Sequence, residues 1–531
     1  MSAASATRAG RWLVLIPVAV VVLAAILRLP DLATRGTWDA DQGHDMLVLR
    51  SLVRDGVVPL LGPPTSIGDV HHGALYYYLL APAAYLTGGD SPLAVVALIA
   101  LAGIAAVLVT WWLARSIGGP VAGLVAGLAM AVSASAVDES TFIWNPNLIA
   151  LSSSIALAGA WYGWTSGRRR GWLVAAIGTA VTMQCHVLGV TLLPVVGALL
   201  VADARRRPPG PERRAVWWVG VTGLAIIALS FLPLVVHELT NDFSETQAAL
   251  DYLRAGGQPG ANGPLVSFLV IAARVLSWPI TGLLTDAGWV ALVAVAVVIA
   301  VTVWTGRVGS LRERQAARWL GLGLLWTAFA LTFLSPSLAT VVPDLPNDHY
   351  HAFADPMVFT LLGMGAAVAW RIRGAAPRSL PVGPIMAAVG VVAVVAWNVA
   401  HQPPAVHPDG GFPAADAAAA RIIGVVGDDP ITLVSLPGFK TTEAYGYPLV
   451  RAGAMVRSAT GGDPDAVAEG AVVVICDSRF EVVIGAPCGG PAEATVTPAD
   501  RFGQPVDRFI AAPGRTISVY RPGAVARALL P

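Results

Sequence analysis

The chain has 531 residues, of which 55% are hydrophobic and 13% are charged, and its formal net charge is +1. Soluble domains carry about 25% charged residues, so this composition excludes an ordinary soluble protein. The near-zero net charge gives no reason to expect a nucleic acid partner. The apolar residues fall in blocks of roughly 18 to 24, the length that crosses a bilayer. We therefore expect an all-α, multi-pass membrane protein of the cell membrane that contacts membrane lipids.

About eleven apolar segments are predicted to span the membrane, at 12–27, 91–114, 120–137, 146–164, 171–186, 188–203, 215–236, 286–306, 317–334, 350–370 and 381–400. The first follows Arg8 and Arg11 and lacks a small-residue cleavage site, which indicates an uncleaved anchor. Arginines cluster between later segments, at 115, 168–170, 205–214, 307–318 and 371–378. The positive-inside rule places these clusters in the cytoplasm, so the N-terminus is expected inside and the C-terminus outside.

The same rule decides two ambiguous segments. If 72–88 were a span, the arginines at 168–170 would lie outside, so this segment is predicted to lie along the membrane surface, anchored by Tyr76, Tyr77 and Tyr78. The run 171–203 begins and ends beside cytoplasmic arginines and is therefore expected to cross twice.

Three regions are expected to face outward: 28–90, 237–285 and the chain after about 401. Residues 1–400 are predicted to form the membrane domain, 401–412 a Pro- and Gly-rich linker, and 413–531 a soluble outer domain. Strands are predicted at 431–435, 471–475, 509–511 and 516–520, in an α/β or α+β arrangement. Cys476 and Cys488 lie in this region and can form a disulfide if it is outside the cytoplasm, whereas Cys185 lies in an apolar run and is expected to be inert.

The first outer loop, 28–90, holds the densest group of polar residues. Asp39, Asp41, His44 and Asp45 stand within seven positions just after a span. If a helix begins near Asp41, then Asp41, His44 and Asp45 share one face. The plainer alternative is that Asp39 or Asp41 only caps the helix.

Three motifs occur in order along the chain: Trp38-x-x-Asp41, the run from His72 to Pro82 with sequence HGALYYYLLAP, and Trp144-Asn145-Pro146-Asn147. With these motifs the chain resembles the multispanning glycosyltransferases of the C superfold over roughly residues 10–370. It is most similar to the branch with the protein O-mannosyltransferases and the bacterial aminoarabinose transferase (glycosyltransferase family 39-like). The C-terminal region lies outside the resemblance.

The resemblance implies a donor sugar on a polyprenyl-phosphate carrier and an acceptor hydroxyl on a protein, glycan or lipid. It also implies that Asp41 is the general base and that the anomeric carbon is inverted when polyprenyl phosphate leaves. A positioned carboxylate contributes about 10²–10⁴-fold as a general base. Gln42 stands where relatives usually have Glu.

The chain departs from the family at several polar positions. His44 replaces a frequent Arg, His72 and His186 lie near positions of Lys, and Asn145 replaces an acid. These departures leave open whether the sugar is mannose-like or a pentose. The residues expected to contact phosphate or sugar are His44, Asp45, His71, His72, Tyr76, Asn145, His186, His349 and Tyr350.

Other classes of function were weighed against the enzyme. His71, His72, Asp41 and His349 do not have convincing metal-ligand spacing, so no cofactor is expected, although a divalent cation stays an alternative. No P-loop or dinucleotide motif is present. A transporter or flippase of lipid-linked glycan is less favoured, because the polar residues concentrate in outer loops. Gln42 and Asn145 keep a third reading open, an inactive relative that binds envelope glycan.

Overall fold

The structure is a computed structural model that describes residues 3–65, 70–254, 262–282, 287–340, 348–372, 381–438, 442–459, 470–497, 499 and 501–522, with side chains described from residue 15 onward. Each of the eleven predicted spans overlaps at least one helix, and the spans 120–137 and 215–236 are each divided between two α-helices. In chain order, the helices before residue 401 are α1 (Ala3–Arg28), α2 (Ala40–Arg54), α3 (Leu75–Thr87), α4 (Pro92–Gly118), α5 (Pro120–Val132), α6 (Ala134–Asp138), α7 (Ile149–Ser166), α8 (Arg169–Cys185), α9 (Leu192–Arg206), α10 (Pro211–Ser230), α11 (Leu232–Thr240), α12 (Ser244–Arg254), α13 (Pro264–Thr281), α14 (Gly288–Val308), α15 (Leu311–Leu334), α16 (Asp355–Arg371) and α17 (Val382–Ala400).

Length and composition qualify fewer of these helices as complete spans. In the described part of the chain, seven are long and apolar enough to cross a membrane, or eight if α10 and α11, bent by 46°, form one broken span. Helix α13 is among the seven, although it lies within 237–285, which was predicted to face outward. The protein is thus multi-pass, while the count of eleven and the orientation of the termini stay predictions.

Helix α3 has 13 residues, about 20 Å at 1.5 Å per residue, which is too short to span a bilayer. The prediction that this segment does not cross the membrane agrees with that length. The prediction that Tyr76 and Tyr77 anchor the helix at the membrane surface was wrong, because they are 0% and 1% exposed and both donate to the carboxyl group of Asp45, whereas Tyr78 is half-buried. The hydroxyls of Tyr76 and Tyr77 therefore serve the protein interior instead of the lipid interface.

The C-terminal region contains a five-stranded mixed sheet. Its strands are β3 (Ile431–Leu436), β4 (Val456–Ala459), β5 (Ala471–Asp477), β6 (Asp507–Ala512) and β7 (Arg515–Tyr520), and a separate antiparallel pair before residue 80 is formed by β1 (Leu61–Pro64) and β2 (His71–Gly73). The order is β4-β3-β5-β7-β6, with β4, β3 and β5 parallel and β7 antiparallel to both neighbours. All four predicted strands are confirmed, and β4 was missed.

Helices and a disulfide complete this region. The helices are α18 (Gly411–Val426), α19 (Glu443–Arg451), α20 (Glu481–Ile484) and α21 (Pro491–Val496). Every residue of β5 is buried, as expected for a central strand covered on both faces. Cys476 at the end of β5 forms a disulfide with Cys488, so the two predicted partners do meet.

The segment predicted as a linker lies against the first loop. The backbone of His407 donates to the carbonyl of Thr34, and the Thr34 hydroxyl donates to Ala405. Asp409 accepts hydrogen bonds from Thr37 and from the backbone of Trp38. These contacts fix the C-terminal sheet to the loop that carries the candidate base.

Helices α2 and α19 pack with very little space between them. The Trp38 indole donates to the carbonyl of Ala444 at 2.7 Å, and a Cβ placed on Gly43 would lie 2.0 Å from the carbonyl oxygen of Glu443. Only a residue without a side chain permits this approach.

We therefore expect Gly43→Ala to force α2 and α19 apart and to lower the free energy of unfolding by about 1–3 kcal/mol, the usual cost of overpacking. Thermal unfolding of the purified protein measures the loss. The matched control is Gly424→Ala in α18, where an added Cβ meets nothing within 4 Å. Equal stability of the two variants would contradict the tight contact.

Candidate active site

The start of α2 is set by its own side chains. Asp39 is the N-cap, with its carboxyl group accepting from the backbone of Ala40, and the Gln42 amide oxygen accepts from the backbone N–H of Asp39. This capping box satisfies amides that a helix start leaves unpaired. Asp39 is therefore the cap, as the plainer alternative proposed, and Asp41 is left in the first turn with its carboxylate directed elsewhere.

A cavity of about 660 Å³ lies beside this turn. Its volume is in the range of small-molecule sites. Six of the predicted site residues line it: Asp41, His72, Asn145, His186, His349 and Tyr350. These side chains come from α2, β2, the α8 end and two 3₁₀ turns, so the fold joins positions more than 300 residues apart.

Asp41 is connected to the histidines through Trp144. The indole N–H of Trp144 donates to Oδ2 of Asp41 at 3.1 Å. The Trp144 and His349 ring centroids are 3.9 Å apart. A single tryptophan therefore orients the carboxylate on one side and packs against a histidine on the other.

The histidines form the next part of the wall. The ring centroids of His186 lie 4.9 Å from those of His72 and Tyr350 and 6.1 Å from that of His349. Burial lowers the pKa of His72 to about 4, with His71 adding to the effect, so His72 is uncharged at neutral pH. Nδ1 of His186 accepts from the backbone of Leu188, which places its ring proton on Nε2. Neutral imidazoles of this kind can donate hydrogen bonds to a sugar or phosphate oxygen.

The two amides at acidic family positions make bonds that a carboxylate could not. Nδ2 of Asn145 donates to the carbonyl of Cys185 at 2.5 Å. Nε2 of Gln42 donates to the carbonyl of Ile143 at 2.8 Å. Each amide is thus suited to its backbone partner. An ionised acid at either position would place a carboxylate oxygen against a carbonyl oxygen, and both are hydrogen-bond acceptors.

Two further carboxyl groups, those of Asp138 and Glu139, line the cavity. Burial raises the pKa of Glu139 to about 8, and the carboxyls of Asp138 and Asp348 add to this although the Trp278 indole, which donates to Glu139, lowers it. Burial also raises the pKa of Asp138. Neither residue is among the predicted site residues, and Glu139 is a candidate hydrogen-bond donor at neutral pH.

Four residues predicted to contact substrate lie outside the cavity. His44 pairs with Glu443 of α19 at 2.9 Å, and His71 pairs with Glu245 of α12 at 2.8 Å. Asp45 is buried between the hydroxyls of Tyr76 and Tyr77. Tyr76 is the fourth of these residues. Helical spacing predicted that His44 and Asp45 share a face with Asp41, but His44 faces α19 and Asp45 packs against α3.

The partners of His44 and Asp45 shift their pKa values. Burial alone would lower the pKa of His44, but the hydrogen bond and charge of Glu443 outweigh it and raise the pKa. Burial raises the pKa of Asp45 to about 7, against the opposing effect of the tyrosine hydrogen bonds.

The raised pKa of Asp45 predicts a pH dependence of stability. Between about pH 4 and pH 7 the folded protein holds a proton on Asp45 that the unfolded chain has released. The contribution of Asp45 to the free energy of unfolding is therefore most favourable below about pH 4 and falls as the pH rises to 7. Asp45→Asn should remove this contribution, and the difference in melting temperature between variant and wild type should shift in favour of the variant as the pH rises from 5 to 8. A pH-independent difference would contradict the assignment.

The C-terminal region also contributes to the cavity. Arg479, which follows β5, and His407, before α18, line it. Neither was predicted, because both lie beyond the part of the chain that carries family motifs. Within the described residues, His, Cys, Asp and Glu side chains do not form a group of three that could hold a metal ion.

Comparison with known proteins places this architecture. Residues 71–232 match the family model of the dolichyl-phosphate-mannose-protein mannosyltransferases. This stretch includes His72, Asn145 and His186 of the cavity. No curated protein sequence matches the chain.

Solved structures match over nearly the whole length. ArnT from Cupriavidus metallidurans in its apo state aligns with a TM-score of 0.61 and 13% identity over 96% of this chain and 98% of that one. The same protein bound to undecaprenyl phosphate aligns with a TM-score of 0.58 and 12% identity, over the same shares of both chains. The oligosaccharyltransferase of Archaeoglobus fulgidus gives 0.50 and 12%, over 96% of this chain and 74% of that one. The resemblance to the C superfold is thereby confirmed at the level of the fold.

Proposed function

We propose that this chain, whose fold is that of the C-superfold membrane glycosyltransferases, transfers a sugar from a polyprenyl-phosphate carrier to an acceptor hydroxyl on the outer face of the membrane. The observation that carries the proposal is the carboxylate of Asp41, oriented by Trp144, at a cavity that is also lined by His72, His186 and His349. The family match of residues 71–232 and the undecaprenyl phosphate bound to ArnT support the class of donor.

In the proposed reaction Asp41 takes the proton of the acceptor hydroxyl as its oxygen attacks the anomeric carbon. The bond from that carbon to the phosphate oxygen breaks, and the electron pair leaves with polyprenyl phosphate. Attack from the side opposite the leaving group inverts the anomeric centre. The imidazoles of His186 and His349 then donate hydrogen bonds where negative charge develops, which is the place where such donors contribute most.

The amides of Gln42 and Asn145 favour an active enzyme over an inactive relative. Both side chains are committed to backbone carbonyls, so their difference from the family reflects local packing instead of a lost catalytic carboxylate. Asp41, by contrast, remains at the cavity.

The experiment that tests the function offers purified protein in lipid nanodiscs two donors, polyprenyl-phosphate mannose and polyprenyl-phosphate arabinose. Peptide, glycan and lipid hydroxyl acceptors are supplied in turn. We expect release of polyprenyl phosphate with one donor and an acceptor-linked sugar of inverted configuration by NMR. Transbilayer movement of an intact lipid-linked sugar without any bond cleavage would instead establish the transporter alternative.

A further inference from the structure

We infer that Arg479 of the C-terminal region binds the phosphate group of the polyprenyl carrier, so that the site is completed by a residue outside the membrane domain. The inference rests on the proposed function. Arg479 lines the same cavity as Asp41, and it is the lining residue with a guanidinium group among those that the structure describes.

The charge of the cavity creates the need for such a residue. Its acidic lining residues are Asp39, Asp41, Asp138 and Glu139. A sugar phosphodiester carries one negative charge, and the monoester that leaves acquires a second. Bringing this anion beside the carboxylate of Asp41 requires a compensating cation, and a guanidinium suits phosphate because it carries five N–H donors, of which those on Nε and Nη2 of Arg479 include the two that bond to Asp477.

The position of Arg479 is fixed by its surroundings. Asp477 accepts hydrogen bonds from Nε of Arg479 at 2.9 Å, from Nη2 at 2.6 Å and from its backbone N–H at 3.1 Å. Ser478 donates to the carbonyl of Gly514 through both its backbone and its hydroxyl. The disulfide between Cys476 and Cys488 closes the loop that contains Asp477, Ser478 and Arg479. The guanidinium is thus held in place while its side chain stays 54% exposed.

The loop is also tied to the helix that bears the base. Arg515, which pairs across the sheet with Asp477, forms an ion pair with Asp39 at 2.9 Å. Asp39 caps α2 two residues before Asp41. The arginine and the carboxylate base are therefore positioned by one connected set of contacts, as a phosphate-binding group and a base acting on the same sugar must be.

The test measures binding of polyprenyl phosphate to the full-length protein in nanodiscs, without turnover. Arg479→Gln should weaken the affinity roughly 10- to 100-fold, the usual effect of losing a charge-assisted contact. Arg479→Lys keeps the positive charge but lacks the planar guanidinium group. Its affinity for polyprenyl phosphate should lie between those of the wild type and Arg479→Gln. Because Arg479→Gln leaves Asp477 unpaired, the double variant Asp477→Asn/Arg479→Gln provides a second test in which no lone carboxylate remains.

A matched control is available in the same region. Arg421 forms a bidentate pair with Asp507 at 2.7 Å for both contacts but does not line the cavity, so Arg421→Gln should leave the affinity unchanged.

The outcomes separate this inference from the proposed function. If wild type binds polyprenyl phosphate and the folded Arg479 variants bind it equally well, the inference is overturned while the function stands. In a separate transfer assay, an Arg479→Gln variant with unchanged carrier affinity and a raised acceptor KM would also overturn it, because Arg479 would then bind an acidic acceptor. If wild type itself does not bind the carrier, the proposed donor class fails together with the inference.

Discussion

Replacement of Asp41 by Asn is expected to reduce sugar transfer at least a hundredfold while the protein remains folded. Asn keeps the size of the side chain and can still accept the hydrogen bond from Trp144, but it cannot take a proton from the acceptor. General bases contribute about 10²–10⁴-fold to such reactions. The measurement is release of polyprenyl phosphate at saturating donor, because the expected loss is in kcat and not in carrier binding.

The control for this variant is Asp55→Asn. Asp55 is the C-cap of α2, at the opposite end of the helix from Asp41, and interacts there through its backbone N–H with Ser51. Its substitution should leave transfer unchanged. Trp144→Phe should give an intermediate loss, since it removes the N–H that orients the carboxylate but keeps the base. Full activity of Asp41→Asn would mean that another group is the base.

The largest loss of stability is expected from Asp348→Ala. Asp348 and Arg274 are 2% and 3% exposed, and the guanidinium of Arg274 contacts both carboxylate oxygens, at 2.8 and 2.7 Å. Nε2 of His351 lies 2.8 Å from the same carboxylate. Removing the acid leaves a buried cation without its counter-charge, which typically costs about 3–5 kcal/mol. Unfolding by a graded denaturing detergent measures this free energy.

A double variant identifies the origin of the loss. The double variant Arg274→Met/Asp348→Asn has no buried net charge from this pair, so it should recover much of the stability that Asp348→Ala loses. The exposed pair of Arg421 and Asp507 has the same bidentate geometry, and Asp507→Ala should cost no more than about 1 kcal/mol. Equal losses at the two pairs would show that burial does not set the cost.

The cavity was largely predictable because its residues lie at the ends of apolar segments. The arginine clusters placed 28–90, 144–147, 186 and 349–350 on one side of the membrane, and the polar side chains that survive there are few. Asp41, His186 and His349 were identified by the resemblance to the family, each in its own segment, and all three line the one cavity. Hydrophobic patterning located most of the apolar helices, because apolar length is recorded locally in the chain, but it did not identify α13 as a candidate span.

Residues whose role depends on a distant partner were not predictable in the same way. The i, i+3, i+4 spacing puts His44 and Asp45 close to Asp41, but it does not reveal that α19 and the tyrosines of α3 compete for those faces. Arg274 occurs inside an apolar stretch, and its ion-pair partner Asp348 is 74 positions away in the chain. Arg479 directly follows β5. The contact between this C-terminal region and the first loop cannot be predicted from any local sequence pattern.

The contact between α2 and α19 has a consequence for biosynthesis. His44 and Glu443 are 399 positions apart in the chain, and at about 5–20 residues per second the ribosome needs roughly 20–80 seconds to travel from one to the other. During that time the face of α2 around Gly43 and Trp38 has no partner. The helix that carries Asp41 is therefore made long before the segment that packs against it, and any nascent chain released before residue 443 leaves that face of α2 uncovered.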